Sequence, residues 1–448
     1  MKSEEKDSKV TSGNALKTKV PGDKYIWAIY IMLCIISIVE QYSASARIVS
    51  ATNIMGPIVK HCFHLSMGLG LILIMQRISY TKYIKFIPLL AIASVVLTIY
   101  VMFWGDVING ARRSVKLLGV LPMQPAELIK FSAAATIAFI LSKSQLKTGG
   151  VSKKGFYTTL AVIGIFGLVL IKQGTTNTII LLAISFSMMI IGGVQWKRIG
   201  AVSGILGIIL AIVLGYGFIK YNQKYDDSGN LRPEYATEIS ASQKIAKGET
   251  IDRLVDVVIP RLIRWWNKSE IPNHKQEINQ YNHQEQYSYI AQANGGVFGV
   301  FPGNSREAAR LPLAFSDYIF AIIVEDMGLI GGIFLLVLYL SLLARASGIA
   351  SQCKRAFPMM LVIGMSLYIT YQALAHMGIV SGVLPVSGQP LPLISAGGSS
   401  ILITSLAIGV MLSVSRYATR KGNDDKRDER QEINALPEDA RAENPSSL

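Results

Sequence analysis

Asp317 stands where a polar, glycine-rich stretch ending at Ser316 meets an apolar run long enough to enter a membrane. Burying an ionisable group near a bilayer is costly, so function is the default reading for one found there. A carboxylate at a membrane mouth, beneath a loop of flexible backbone, is where chemistry on a lipid-linked substrate could occur. The same residue also suits a helix start, because Ser316-Asp317 precedes the apolar run and Asp favours N-caps. Local sequence leaves both readings open.

A second candidate group lies in residues 109–130. A basic outer loop carrying Arg113 leads into a helix start at Pro125, where the missing N–H of proline is harmless. Glu127 and Lys130 follow, three apart and on one helix face. They suit an intrahelical ion pair that hides two charges from lipid. They equally suit a receptor in which Arg113 and Lys130 take a pyrophosphate while Glu127 orients Lys130. Between Gln286 and Ser316, Gly295, Gly296, Gly299 and Gly303 permit close backbone approach and could cradle a phosphate on backbone amides. Near the C-terminus, Pro385, Pro390 and Pro392 interrupt an apolar stretch that continues into Ser395, Gly397, Gly398, Ser399 and Ser400. A broken or re-entrant segment follows, tolerated at membrane depth only against protein or a cavity. Those serines and glycines could bind a polar headgroup or start a packed helix. Glu325 and Asp326, deeper in the preceding apolar run, read as structural charges. His61, His64, His274, His283 and His376 make no zinc pattern, and no metal-ligand residues are assigned. No Gly-x-x-x-x-Gly-Lys motif is present, which argues against an ATP-driven pump.

These groups need elements to hold them at membrane depth, and the composition supplies them. Of 448 residues, 51% are hydrophobic and only 16% charged, with a mean hydropathy of +0.39. That predicts an all-α polytopic membrane protein with about ten spanning helices. They fall near 25–42, 58–76, 86–104, 124–142, 156–171, 176–194, 198–219, 317–344, 357–383 and 393–415, the sixth and seventh nearly continuous. Lys and Arg recur in alternate short loops, so both termini are expected in the cytoplasm. The same distribution explains the +15 net charge without nucleic acid. The first helix has a long polar leader and no cleavage pattern, so no signal peptide is expected. Cys34, Cys62 and Cys353 suggest no disulfide framework. Residues 23–416 form the membrane domain, and the polar tails 1–22 and 417–448 are expected to be disordered. Helices seven and eight are joined by a large extracytoplasmic loop, 220–316. Within it, residues 251–266 suit a surface helix, kinked at Pro260, either lying at the headgroups through Trp265 and Trp266 or packed on the bundle. Residues 222–250 and 267–285 show no periodicity.

Taken together, these segments resemble the SEDS family of bacterial membrane proteins, typified by FtsW and RodA. The matching pieces are SAS at 43–45, NGARR at 109–113, QPAELIK at 124–130, NGGVFGVFPGN at 294–304, LPLAFSDYIF at 311–320, EDMGLIGG at 325–332 and GVLPVSGQPLPLISAGGSS at 382–400. They run in the family's order from the first helix to the tenth. The chain departs from the pattern at Ser114, at KQGTTNT (172–178), at Val300-Phe301 and at His376. The resemblance implies peptidoglycan glycosyltransfer using lipid II, with Asp317 as general base and undecaprenyl pyrophosphate as leaving group. It implies substrate contacts from Arg113, Glu127, Lys130, Gly295, Gly296, Gly303, Asn304 and the 395–400 segment, and a divalent cation, Mg or Mn, as a candidate cofactor. It further implies a class B penicillin-binding protein and other division proteins as partners in the bacterial inner membrane, at the septum if the chain follows FtsW rather than RodA. A lipid II flippase and a non-catalytic division scaffold are the rival readings.

Overall fold

The computed structural model describes residues 22–46, 55–108, 111–117, 121–146, 149–226, 254–266, 276, 278 and 282–418. The disorder expected of the tails and the irregular backbone expected over most of 222–285 concern residues outside that set. Twelve α-helices run through the described residues. They are α1 (Lys24–Ala46), α2 (Met55–Met75), α3 (Tyr80–Trp104), α4 (Pro125–Lys143), α5 (Lys153–Ile171), α6 (Thr175–Ile191) and α7 (Trp196–Lys224). The short α8 (Ile259–Trp266) and α9 (His283–Gly295) precede α10 (Ile319–Gln352), α11 (Ala356–Val380) and α12 (Gly398–Ala418). Nine are long and apolar enough to cross a membrane, and α6 is apolar but shorter, at 17 residues. With α6 counted, the expected ten spans are present.

Local chemistry sets where these helices begin. Asp23 caps α1, its Oδ1 accepting from the N–H groups of Tyr25 and Ile26 at 3.0 and 3.2 Å. Ser152 caps α5 through the N–H of Gly155, 3.1 Å away. Pro125 opens α4. A turn at Gly192 and Gly193, the latter at φ 79°, separates α6 from α7. In the middle of the bundle, α4, α11 and α12 are 83%, 89% and 89% buried along their apolar windows. Peripheral α3 and α7 are 22% and 11% buried, leaving wide apolar faces for lipid. At one end Arg345 Nε donates to Asp23 Oδ2 at 2.9 Å, and the Asp23 N–H donates to Ser415 at 3.0 Å. That cluster ties α1, α10 and α12 together.

Three features differ from the sequence expectation. The loop between α3 and α4 contains a small antiparallel sheet of β1 (Asp106–Ile108), β2 (Ala111–Leu117) and β3 (Leu121–Met123), so the fold is not purely helical. The eighth span extends to Gln352 and breaks at Gly328, where φ is 69° and ψ −173°. The tenth starts at Gly398, five residues later than expected, because 381–397 is the irregular re-entrant strap its prolines foretold. Finally, of the two readings left open for 251–266, the structure gives packing on the bundle, where Trp265 donates its indole N–H to Gly382 O at 3.2 Å. The segment divides beside Pro260, a π-helical turn at Leu254–Val258 running into α8 at Ile259.

Candidate active site

The turn before α10 presents Asp317. The carbonyl of Leu313 accepts the N–H groups of Ser316 and Asp317, each at 3.0 Å, which curls 313–317 back on itself. To do so Leu313 adopts φ 59°. A branched residue in the left-handed region is strained, and such strain concentrates at functional sites. The helix that follows starts at Ile319, with Tyr318 at the N-cap position. Asp317 therefore precedes the N-cap position of α10.

The re-entrant strap closes over this turn. Ser395 Oγ donates to Ser316 O at 2.6 Å and accepts the Leu391 N–H at 2.7 Å, and the Ala396 N–H donates to Phe315 O at 2.9 Å. Gly388 comes closer still. A Cβ there would lie 2.5 Å from Asp317 Oδ2. The strap itself hangs from α11, where His376 Nδ1 donates to Gln389 O at 2.6 Å and Gln372 Nε2 to Pro390 O at 3.3 Å.

Between turn, strap and α4 lies a cavity of about 230 Å³. The turn contributes Leu313, Phe315, Ser316 and Asp317, and the strap Gly388, Gln389, Pro390, Ala396 and Gly397. Opposite them stand Gln124, Ala126 and Glu127 from α4, Gln173 and Asn177 from the corner into α6, and Ser399 and Ser400 from α12. Glu127 is pinned. Its Oε1 accepts from Lys130 Nζ at 2.8 Å and its Oε2 from Tyr368 OH at 2.9 Å. Lys130 donates a second bond to Gln372 Oε1 at 3.0 Å. A buried ion pair of this kind holds only while every donor and lone pair is matched.

Asp317, Glu127, Gly397, Ser399 and Ser400 are thus brought to one cavity. Ser395 acts as a clamp beneath it, and Gly398 packs on His64, whose Nε2 would meet a Cβ at 2.7 Å. Lys130 is 0% exposed and lies behind Glu127, where it fixes the position of that carboxylate. Gly295, Gly296, Gly303 and Asn304 are not among the described residues that line the cavity. Their stretch threads the break in α10. The N–H groups of Val300 and Phe301 donate to Glu325 O and Asp326 O at 2.9 Å, and the Leu329 N–H returns to Gly296 O at 2.9 Å. The glycines allow two backbones to touch, which leaves their amides engaged and unable to cradle phosphate. Gly303 N–H donates to Ser43 Oγ at 2.9 Å, and Asn304 Nδ2 donates to Val300 O at 3.0 Å. Glu325 anchors the same loop, accepting from Ser305 Oγ at 2.5 Å and from the Arg306 N–H at 3.0 Å. The side chain of Arg113 lies outside the described residues.

Gln124, Gln173, Asn177 and Gln389 were missed by sequence reasoning. The signal for two of them was the stretch 172–178, noted only as a departure. No group of three or more His, Cys, Asp or Glu among the described residues could hold a metal. Each Glu127 oxygen already accepts one hydrogen bond, from Lys130 and from Tyr368.

A family model described as cell cycle protein, covering FtsW, RodA and SpoVE, matches residues 23–231 and 239–420. The probable peptidoglycan glycosyltransferase FtsW of Coxiella burnetii is 28% identical over 409 residues, spanning 87% of this chain and 95% of that protein. The peptidoglycan glycosyltransferase MrdB of Escherichia coli is 25% identical over 403 residues, spanning 88% and 94%. Among solved structures, a chain from a peptidoglycan synthase complex that coordinates polymerization and crosslinking aligns with TM-score 0.64 at 20% identity, covering 89% of this chain and 99% of that one. The rod shape determining protein RodA of Thermus thermophilus aligns with TM-score 0.58 at 20% identity, covering 89% and 98%. At that identity these structures speak for the fold.

Proposed function

The chain belongs to the FtsW, RodA and SpoVE family of cell cycle proteins, and from that membership we propose how its cavity works as the site of a peptidoglycan glycosyltransferase. The enzyme is an integral membrane protein that joins lipid II units into glycan strands. The observation that carries the site assignment is the position of Asp317, held at the cavity wall by a strained turn and a strap that leaves no room for a Cβ at Gly388. Asp317 takes the proton of the acceptor sugar hydroxyl as that oxygen attacks the anomeric carbon of the growing chain. The new C–O bond forms as the bond to undecaprenyl pyrophosphate breaks, and the leaving pyrophosphate needs no proton. A positioned base supplies typically ~10²–10⁴-fold, and orientation within the cavity supplies much of the rest. Glu127, held between Lys130 and Tyr368, faces the cavity across from Asp317. A Mg²⁺ or Mn²⁺ ion would arrive on substrate phosphates, because no group of three or more His, Cys, Asp or Glu among the described residues could hold it.

The bundle end carrying Asp23, Arg345 and Arg416 faces the cytoplasm, which puts the cavity at the outer surface and both termini inside. A class B penicillin-binding protein is the natural partner, since nascent glycan must be crosslinked. The septum is the expected location if this chain follows its FtsW relatives. The test supplies labelled lipid II to purified protein, with and without that partner, and resolves products on a gel. Polymer from wild type and none from a folded Asp317→Ala variant is the expected result. No polymer from wild type with partner and divalent ions present would return the reading to lipid transport or scaffolding.

A further inference from the structure

The cavity contains polar atoms that the proposed chemistry leaves unused. Gln389 is 4% exposed, and its Nε2 donates to Gly388 O at 3.2 Å. That bond fixes which way the amide faces and leaves Oε1 buried with no protein partner. Asn177 Oδ1 and Ser400 Oγ, on α6 and α12, are buried and unpartnered in the same way. Buried polar atoms are nearly always hydrogen-bonded, so exceptions of this kind around one cavity call for a ligand that satisfies them.

The polarity of these atoms selects the ligand. Two are amide oxygens, which only accept. The charged side chains lining the cavity among the described residues, Asp317 and Glu127, are carboxylates, and no Lys or Arg joins them. Pyrophosphate offers only acceptor oxygens and negative charge, so it cannot satisfy these amide oxygens. A sugar offers hydroxyl and N-acetyl N–H donors and carries no charge at those positions.

Resting on the glycosyltransfer reading above, we propose that Gln389, Asn177 and Ser400 form a sugar-reading subsite. Gln389 Oε1 and Asn177 Oδ1 accept from hydroxyl or acetamido N–H donors of one amino sugar, and the Ser400 hydroxyl completes the set. These three are specificity-determining residues, and Asp317 remains the catalytic one.

The experiment titrates full-length protein in nanodiscs with two soluble probes, an N-acetylglucosaminyl–N-acetylmuramic acid disaccharide and inorganic pyrophosphate. Gln389→Leu and Asn177→Ala should each weaken the disaccharide about tenfold, the scale of one lost hydrogen bond, and leave pyrophosphate within about twofold. Gln389→Glu, which keeps an acceptor at the position, should retain disaccharide binding, and that separates loss of the acceptor from misfolding. The subsite is overturned if wild type binds no disaccharide, if neither variant changes it, or if pyrophosphate is the probe that weakens. Polymerisation of lipid II is followed on the same samples. Wild type that reads the disaccharide as described but makes no polymer would retain the subsite and refute glycosyltransfer. Polymer made with disaccharide binding indifferent to both variants would refute the subsite alone.

Discussion

At Gly388 the backbone of the strap touches the carboxylate of Asp317, and this contact governs where the base points. Gly388→Ala would place a methyl group 2.5 Å from Oδ2, so the carboxylate has to turn away. The expected result is a fall of about 10²-fold in polymerisation rate, the effect of an ångström-scale misplacement, with unfolding little changed. Rates on labelled lipid II and denaturation curves of the same preparation check both halves. Lys130 makes a different demand. Lys130→Met leaves Glu127 buried with Tyr368 as its remaining donor, and breaking a buried pair from one side costs about 3–5 kcal/mol. Pairing that change with Glu127→Gln should recover much of the loss in a double-mutant cycle of unfolding free energies. The sequence marked Glu127 and Lys130 as neighbours through their spacing. It did not disclose that Tyr368 and Gln372, some 240 positions away, complete the network.

At the scale of elements, the most informative joint is the break in α10. The eighth span, 317–344, reads as one continuous apolar helix, and its pattern does not locate the interruption at Gly328. The glycine-rich stretch before it carried the missing information. Its flexibility was legible and its use was not, since the pairing of Val300 and Phe301 with Glu325 and Asp326 is a long-range backbone event. Gly299 has φ 82°, and a Cβ there would meet Asp326 O at 2.2 Å. Gly299→Ala should therefore destabilise the protein by ~2 kcal/mol or more, measured by chemical denaturation, because it combines a left-handed backbone with a clash against a carbonyl. The re-entrant strap was easier to foresee: three prolines in an apolar stretch cannot continue a helix. The β1–β3 sheet was not foreseen, for two of its strands are three residues long and carry no readable alternation.

For the whole molecule, ten apolar helices and their order were legible because membrane-spanning length and hydropathy are properties of contiguous sequence. Which helices form the centre was not, since α11 and α3 are similarly apolar and only packing separates them. The proposed orientation rests on the charged loops, and it can be measured. Single cysteines replacing Lys153 or Lys354, in an otherwise cysteine-free protein, should react with an impermeant maleimide only after the membrane is opened, whereas one replacing Asn304 should react in intact cells. The central claim, that Asp317 does chemistry in this cavity while other groups hold the substrate, is tested most directly by single-turnover transfer and lipid II affinity measured together for Asp317→Asn in nanodiscs with the partner present. The account predicts a rate lower by ~10²–10⁴-fold with affinity unchanged within about twofold. A retained rate, or an affinity that falls in step with the rate, would contradict it.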